Sequence, residues 1–460
     1  MAGFPGRGVG GTRHRQDALP GHSLKYVSEG GTLTATTVRP PHGGALVDLL
    51  AVGGEAAELT SRAASWPGWR LTPRQRCDLE LLACGGFSPL RTFMDQDDYS
   101  SVCESMRLAD GILWPVPITL DVPEEVATAA RPGRSLALRD HDDALLGVLH
   151  VKQSWRPDLA AEAAAVLGTT DPAHPGAGYL LRHVHPWYLT GELKVLRLPS
   201  HLDFAQLRHT PAQVRAEFTR RGWPRVVAFQ TRNPLHRAHQ ELTLRAARQA
   251  DAHLLIHPVV GVTKPGDIDH HTRVRCYQAI MRHYPAERVL LSLLPLAMRM
   301  AGPREAVWHA IIRKNYGATH FIVGRDHAGP GLNSGGRPFY EPYAAQELLR
   351  LHAGELGIDV MTFRRLVYVP SLGAYLPEDE APADGPVLSI SGTELRQRLA
   401  EGRDLPSWFT PPEIAAELRR SYPPGNGRSK ALNGTALNAL AGPPAFGAGA
   451  DGRVGVEATT

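Results

Sequence analysis

The sequence predicts an α/β protein in which a small β-rich domain precedes a doubly wound parallel sheet and a small helical subdomain follows it. Between about residues 201 and 366, apolar β-branched runs alternate with amphipathic helical patterns, which is the rhythm of βαβ units. Residues 43–200 instead carry short strand patterns separated by turns. Polar loops bearing glycine or proline follow successive strands, where doubly wound sheets bind their ligands.

Length and composition restrict the class of protein. A chain of 460 residues is long enough for two to four domains. Its net charge of +4 does not indicate a nucleic-acid partner, and no apolar run reaches the length of a membrane span. Four cysteines lack the spacing of a zinc site or disulfide framework, so reduced thiols in a cytoplasmic protein are expected: Cys77, Cys84, Cys103 and Cys276.

The two ends of the chain lack sustained periodicity. Residues 1–42 are rich in Gly, Thr and Arg and are predicted to be a flexible leader, and the Gly-, Ala- and Pro-rich residues 423–460 a disordered tail. Gly6, Gly8 and Gly11 match the dinucleotide-binding pattern G-x-G-x-x-G. No strand pattern precedes them and no helical pattern follows, so we reject that interpretation.

The first folded domain, residues 43–200, is expected to have few long helices. A polar helix is predicted near residues 73–84, and strands over 114–121 and 144–151.

The second domain, residues 201–366, alternates strands with helices. Strands are predicted at 226–229, 252–260, 288–294 and 319–323, and a further strand at 366–369. Helices are predicted after the first strand and at 272–284, 303–316 and 343–354. This order predicts a doubly wound, Rossmann-like sheet.

Residues 230–239, Gln-Thr-Arg-Asn-Pro-Leu-His-Arg-Ala-His, follow the first of these strands. Asn233 is predicted to cap the next helix, with Pro234 at its first position. His236 and His239 are three residues apart and are therefore expected on one face of the first turn, with Arg232 in the turn before it. Two imidazoles and a guanidinium at a helix start favour a polyanion site. The His-x-x-His pair alone is equally typical of metal sites and of core histidines.

Three further loops have the same character. Residues 260–267 carry Lys264 between glycines, and residues 293–303 carry Arg299, which could meet an anion. Residues 324–331, Gly-Arg-Asp-His-Ala-Gly-Pro-Gly, combine small residues with polar side chains and allow close backbone approach to a ligand. Residues 390–396 read as a helix start capped by Ser391 or Thr393 and open the small subdomain, residues 367–422.

The string 230–239, the four loop motifs, residues 85–90 and residues 114–121 together resemble the ATP sulfurylase (sulfate adenylyltransferase) family, with matches from about residue 43 to 420. The resemblance implies a PUA-like N-terminal domain, a nucleotidyltransferase domain and a small C-terminal subdomain that closes over it. It also implies the first step of sulfate assimilation, in which ATP and sulfate give adenosine 5′-phosphosulfate and pyrophosphate. A cytoplasmic homo-oligomer is expected.

The resemblance assigns roles residue by residue. Gln230 and Arg232 would bind sulfate, with the backbone N–H of Ala328. Thr231, Arg232 and Asn233 match catalytic positions, and His236 and His239 would stabilise charge developing on the phosphates. ATP would contact Gln230 to Asn233 and the loop residues Gly324, Arg325, Asp326 and His327. Val367 would meet the adenine through its backbone, and Leu366 occupies an ATP-sensing position.

The partners implied are ATP, sulfate and pyrophosphate, with Mg²⁺ held mainly by the nucleotide. Sulfate is expected to attack the α-phosphate directly and in line, because no Ser or Cys nucleophile set is evident. No Walker P-loop occurs, so the form without a fused adenylylsulfate kinase domain is expected. Residues 324–350 contain no cysteine, so no protein-bound zinc is expected.

Two other functions remain open at this point. One is another adenylyltransferase of the His-x-x-His class, whose members are usually much shorter. The other is an RNA-binding protein acting through the PUA-like domain, although the near-neutral charge speaks against a nucleic-acid partner. No membrane partner is expected, and the sequence does not identify an oligomer interface. The sequence does not state the direction of the reaction in the cell, but assimilation is expected because it is the commoner role in the family.

Overall fold

The computed structural model describes residues 38–422, in which two five-stranded sheets and one two-stranded sheet are formed. The predicted tail and all but the last five residues of the predicted leader lie outside the described residues. Residues 38–42 of that leader pack on the fold. The backbone N–H of His42 donates to Asn315 Oδ1 over 2.8 Å, and Arg39 pairs with Asp359 over 2.9 Å. These contacts attach residues 39 and 42 to the second domain.

The first sheet lies between residues 68 and 195 and has the strand order β1-β3-β4-β5-β2. Its strands are β1 (Gly68–Arg70), β2 (Leu120–Val122), β3 (Ser135–Arg139), β4 (Leu145–Trp155) and β5 (Trp187–Val195). Only β1 and β3 run parallel, and the other pairs are antiparallel. Of the residues in the predicted strand over 114–121, only Leu120 and Asp121 lie in a strand. Residues 114–119 are buried but irregular.

Six helices of at most 11 residues surround this sheet, in agreement with the predicted lack of long helices. They are α1 (Gly53–Ala63), α2 (Pro73–Ala83), α3 (Gln96–Ser105), α4 (Glu124–Ala129), α5 (Leu159–Leu167) and α6 (Pro175–His183). Helix α2, the one predicted, begins with a capping box in which Thr72 accepts from Gln75 N–H.

The second sheet is parallel throughout, with the order β10-β9-β6-β7-β8. Its strands are β6 (Val226–Phe229), β7 (His253–Ile256), β8 (Val289–Leu291), β9 (His320–Val323) and β10 (Asp359–Thr362). The chain moves from β6 outward to β8, then returns to the other side of β6 for β9 and β10. This is the doubly wound topology predicted, with its switch point between β6 and β9.

Six helices connect or flank these strands: α7 (Pro211–Arg221), α8 (Arg237–Gln249), α9 (His270–Ile280), α10 (Gly302–Asn315), α11 (Ala344–Leu351) and α12 (Ala353–Leu356), of which the last two take the place of one predicted helix. Helix α10 is buried along almost its whole length. Its buried polar side chains have partners: Glu305 accepts the N–H of Arg299, His309 contacts His327, and Arg313 donates to the His257 carbonyl.

The predicted strand at 366–369 does not belong to the parallel sheet. It forms β11 (Leu366–Val369) and pairs antiparallel with β12 (Ala374–Pro377) in a separate two-stranded sheet packed on α8. The fifth strand of the parallel sheet is β10, which the sequence analysis missed. Helices α13 (Gly392–Ala400), capped by Ser391, and α14 (Pro412–Ser421) complete the described chain. Among residues 38–422, no helix is long and apolar enough to cross a membrane.

Candidate active site

The predicted loops converge because all five strands of the second sheet are parallel. Residues 230–236 follow β6, and residues 324–331 follow β9, on the two sides of the switch point. Residues 257–269 follow β7 beside them. Ligands of doubly wound sheets bind in the crevice that such loops leave at a switch point. The topology therefore places the strongest sequence motif in the position where a ligand is expected.

The turn after β6 is longer than predicted. Helix α8 begins at Arg237 with His236 as its N-cap, so Asn233 is not the cap and Pro234 is not the first helical residue. The hydroxyl of Thr231 accepts from the Asn233 N–H over 3.0 Å, and Tyr277 donates to the Asn233 carbonyl over 2.9 Å. These bonds keep the turn non-helical for three residues beyond the predicted helix start.

Buried Arg273 fixes the same turn from below. Its Nη1 donates to the carbonyl of Arg232 and to that of Val259, each over 2.9 Å. Arg273 is only 2% exposed. One guanidinium thus ties the turn after β6 to the segment after β7. Neither Arg273 nor Tyr277 was identified from the sequence, because nothing in a helix pattern shows which of its residues face a distant turn.

The two histidines lie together as predicted, with ring centroids 6.0 Å apart. The His236 N–H donates to His239 Nδ1 over 3.2 Å, which leaves the proton of a neutral His239 on Nε2 as a donor. Burial lowers the pKa of His239 to about 4 and that of His236 well below its usual range. Both rings are therefore neutral near pH 7 and act as dipolar hydrogen-bonding groups rather than as the cations that a polyanion site first suggests.

The C-terminal subdomain holds the first of these rings. His236 Nδ1 lies 3.0 Å from the hydroxyl of Thr410, and its ring stacks on Phe409 with centroids 4.2 Å apart. Arg237 donates from Nε to the Ser407 carbonyl over 2.7 Å. Residues 407–410 thus contact the start of α8, and closure of this subdomain over the site stays a prediction.

Arg232 is not a free guanidinium. Its Nη1 contacts both carboxylate oxygens of Asp267 at 2.6 and 2.7 Å, and the Asp267 side chain is only 4% exposed. Its Nη2 reaches the Gly329 carbonyl over 3.4 Å. These contacts join the turn after β6 to the loops after β7 and β9. No local sequence pattern identifies Asp267 as the partner of Arg232, because the two residues are 35 positions apart.

The loop after β9 has an unusual backbone. Asp326 and Ala328 both have φ of 53°, in the left-handed region that non-glycine residues seldom occupy. The Asp326 N–H donates to the Pro342 carbonyl over 2.7 Å. A Cβ added to Gly329 would lie 1.8 Å from Asp326 Oδ1, so any side chain there would displace the Asp326 carboxylate. Within residues 38–422, the N–H of Ala328 donates no hydrogen bond and remains available for a ligand.

Charged side chains lie in and beside this loop. Lys264 Nζ donates to the Pro330 carbonyl over 3.3 Å, and burial followed by the charge of Arg232 lowers the Lys264 pKa. Burial raises the pKa of Asp326. Arg325 is exposed. The crevice therefore combines one paired arginine, a half-buried lysine and an exposed arginine, a set that can neutralise a dense anion.

A buried polar chain supports His327. Its Nε2 lies 3.0 Å from His309 Nδ1, and His309 Nε2 lies 3.4 Å from Glu305 Oε1. Glu305 also accepts the backbone N–H groups of Arg299 and Ala301, over 3.0 and 2.8 Å. Because burial and then His309 lower the pKa of His327, this ring too is neutral. The chain connects the loop after β9 with the loop after β8.

One predicted anion contact is wrong. Arg299 is 5% exposed, and its guanidinium is 2.6 Å from Asp78 in the first domain, so it is consumed by a structural ion pair. Two other residues lie apart from the loops described above. Val367 and Leu366 are in β11, where Val367 pairs with Leu376 and Leu366 with Pro377. Their assignment to adenine and to ATP sensing stays a prediction.

Parallel strands, a switch-point crevice and a His-x-x-His helix start define the class as a nucleotide-handling α/β enzyme. An ATP-sulfurylase family model matches residues 205–421, and a PUA-like domain model matches residues 39–198. The sulfate adenylyltransferase of Saccharomyces cerevisiae is 55% identical over 388 residues, which cover 84% of this chain and 76% of the yeast protein. The chain belongs to the ATP-sulfurylase family and is a nucleotidyltransferase.

Other relatives agree. The sulfate adenylyltransferase of Eremothecium gossypii is 54% identical over 385 residues, covering 84% of this chain and 77% of the relative. That of Neosartorya fischeri is 55% identical over 389 residues, covering 84% and 68%. A solved structure described as a hexameric APS kinase from Thiobacillus denitrificans superposes with a TM-score of 0.69 at 34% identity, covering 84% of this chain and 69% of that one.

Proposed function

We propose that this chain transfers the adenylyl group of ATP to sulfate, giving adenosine 5′-phosphosulfate and releasing pyrophosphate. The convergence of Arg232, the free Ala328 N–H and the neutral histidine pair at one switch-point crevice carries the proposal. Relatives more than 50% identical are named sulfate adenylyltransferases, which supports the same reaction here.

The sulfate subsite lies between the loops after β6 and β9. Gln230 and the unbonded edge of Arg232 would donate to two sulfate oxygens, and the Ala328 N–H to a third. Asp267 already balances one positive charge of Arg232. Sulfate therefore depends on directed donors more than on net charge, which suits a site that must also admit a triphosphate. Gln230 lies against Met298, with Nε2 3.9 Å from Sδ, so its amide is positioned before sulfate arrives.

The ATP subsite extends along the same crevice. Thr231, Arg232 and Asn233 would contact the α-phosphate region from the turn after β6, and Gly324 to His327 the nucleotide from the loop after β9. His239 would donate from Nε2 to a phosphate oxygen, since its Nδ1 accepts a backbone N–H. His236 would assist beside it. Neutral donors can stabilise the charge that develops on the leaving pyrophosphate without lowering the reactivity of sulfate.

No covalent adenylyl-enzyme is needed. Sulfate is a weak dianionic nucleophile, so the contribution of the protein is to hold it in line with the α-phosphate and to offset repulsion. Within residues 38–422, burial raises the pKa of the thiols of Cys77, Cys84, Cys103 and Cys276 to about 12, which leaves them protonated and unreactive.

Mg²⁺ is proposed as the metal that accompanies ATP. Around the crevice, the available carboxylates are Asp326, whose pKa burial raises, and Asp267, which Arg232 already occupies. This donor set fits an ion held by the nucleotide and water, with Asp326 as one outer contact, and not a cage built by the protein. When bound, the ion would neutralise part of the phosphate charge.

We further propose that the reaction runs toward adenosine 5′-phosphosulfate in the cytoplasm, as the first step of sulfate assimilation, and that the chain acts as a homo-oligomer. The unpaired cysteines within residues 38–422 are consistent with a reducing compartment. The structural relative from Thiobacillus denitrificans is described as hexameric, which favours self-association.

Pyrophosphate release from ATP and Mg²⁺ tests the reaction directly. Purified protein is assayed without anion, with sulfate, and with molybdate, a tetrahedral dianion of similar size. We expect release only when one of these anions is present. Anion-independent release, or none from a folded protein that binds ATP, would contradict the proposal. Arg220→Ala is the control for an Arg232→Ala variant, because Arg220 lies on the exposed surface of α7, where it pairs with Glu217.

A further inference from the structure

A cluster of metal-ligand side chains lies beside the site at the start of α9. Asp203, His270 and His271 each offer a ligand atom, and these atoms all lie within 4.8 Å of one another. Asp203 Oδ2 is 2.9 Å from His270 Nε2 and 3.7 Å from His271 Nδ1. The two imidazole rings have centroids 4.0 Å apart. Two rings thus approach one carboxylate oxygen from the same side.

Hydrogen bonding accounts for the position of His270 beside Asp203 but not for that of His271. His270 can donate to Asp203 Oδ2 at 2.9 Å, but 3.7 Å is too long for a hydrogen bond from His271. Within residues 38–422, the His271 ring makes no hydrogen bond, and it lies tilted by 45° against the ring of Phe204, with centroids 6.0 Å apart. A nitrogen of this exposed ring therefore faces a carboxylate oxygen to which it is not hydrogen-bonded.

The carboxylate is prepared for a cation on the side of the histidines. Arg208 holds Asp203 Oδ1 over 2.8 Å and donates from Nε to the Asp203 carbonyl over 3.0 Å. Oδ2 remains directed at the rings. Ligating carboxylates in metal sites are commonly fixed in this way by an outer hydrogen-bond donor. Arg208 is bonded to Oδ1, the carboxylate oxygen away from the histidines, so its charge repels an ion at Oδ2 less strongly.

We propose that Asp203, His270 and His271 bind a zinc ion, with water as the fourth ligand. Two imidazoles and one carboxylate are a common zinc donor set and a poor one for Mg²⁺ or Ca²⁺, which prefer oxygen. Bonds of about 2.0–2.2 Å in a tetrahedron bring ligand atoms to roughly 3.3 Å apart, so modest side-chain rotations suffice. Asp203 is 67 residues from His270, so no local spacing in the sequence indicates this site, and protein-bound zinc was not expected.

The ion would connect two segments next to the crevice. Asp203 lies between β5 and α7, whereas His270 and His271 open α9, three residues after the Asp267 that holds Arg232. Zinc would therefore stabilise the loop that carries Asp267. This inference is independent of which anion the crevice accepts, because its ligands contact neither Arg232 nor the histidine pair.

Metal titration separates this proposal from the proposed function. Chelator-treated, dialysed protein is titrated with Zn²⁺ in competition with a chromophoric indicator, and with Co²⁺ while its visible absorption is recorded. We expect one equivalent bound in the wild type, with the intense absorption of tetrahedral Co²⁺. His271→Ala should bind at least roughly 10-fold more weakly, since even an outer-shell partner contributes that much. His271 is exposed, so this variant should fold normally.

His141→Ala is the matched control. Asp140, His141 and Asp142 form the other cluster of this kind within residues 38–422, but they are consecutive residues of one loop and supply only one imidazole. Tight binding kept in His141→Ala and lost in His271→Ala and Asp203→Asn supports the site. Equal binding in all variants, or none in the folded wild type, overturns it. A melting temperature that rises with Zn²⁺ only where the site is intact would give a second, activity-free readout.

Discussion

Replacing Arg232 by alanine should damage the protein in two separable ways. Arg232 and Asp267 form an ion pair at 2.6 Å with side chains 14% and 4% exposed. Removing the arginine leaves the Asp267 carboxylate buried and without its partner. Breaking a buried pair in this way typically costs about 3–5 kcal/mol, and the residual exposure of Arg232 places the expected loss near the lower end.

The size of the effect can be measured by urea unfolding. With slopes of about 1–3 kcal/mol/M, a loss of roughly 3 kcal/mol lowers the urea midpoint by about 1 M or more. Asp267→Asn should cost less, because it leaves the more exposed partner unpaired. The double variant Arg232→Ala/Asp267→Asn should recover most of the stability, since no uncompensated buried charge remains.

Activity should respond differently. If the guanidinium also contacts sulfate, the double variant remains inactive in sulfate-dependent pyrophosphate release although it is stable. A single Arg232→Ala variant as stable as the wild type would refute the argument from the ion pair. A double variant that regains sulfate-dependent release would refute the assignment of Arg232 to sulfate.

Three further predictions concern neighbouring groups. Because burial lowers the pKa of His239 to about 4, only the unfolded chain takes up this proton between pH 6.5 and 4, so the urea midpoint should fall as pH decreases through that window and fall less in His239→Gln. Gly329→Ala should reduce turnover at least roughly 10-fold by displacing the Asp326 carboxylate in the loop after β9, whereas Gly354→Ala, with open space around it, should leave turnover unchanged. Thr410→Val removes the hydroxyl beside His236 and should lower kcat, whereas Thr410→Ser keeps a hydroxyl there and should retain kcat. Equal kcat in both variants would show that the Thr410 hydroxyl has no role in the reaction.

Local patterns predicted most of the second sheet. Val226 to Phe229 is an apolar β-branched run bounded by polar residues, and it forms a strand in the structure. The order of strands and helices was enough to predict the doubly wound topology and hence the edge at which loops meet. Strand propensity does not reveal a partner, however. Residues 366–369 are extended as predicted but pair in a hairpin, and Asp359–Thr362 was missed because its sequence is short and mixed.

The site was predicted less completely than the fold. Its loops could be located, but their partners could not, because those contacts join distant residues. Asp267 is 35 residues from Arg232 and Thr410 is 174 residues from His236. Asn233-Pro234 has the pattern of a helix start, yet bonds from Thr231 and Tyr277 fix the turn in another shape. Local capping preference is worth about 1 kcal/mol and yields to such tertiary bonds. The neutral state of the histidines likewise follows from burial, which the sequence does not display.

The most direct test of direct adenylyl transfer to sulfate is isotope exchange between labelled pyrophosphate and ATP, with Mg²⁺ present, measured with and without sulfate. Exchange requires that bond cleavage at the α-phosphate be reversible in the site. If sulfate attacks that phosphate itself, label enters ATP only when sulfate is present, and adenosine 5′-phosphosulfate is formed alongside. Label entering ATP without sulfate would reveal an adenylyl-enzyme and contradict the mechanism. No exchange under either condition, from protein that binds ATP, would contradict the function.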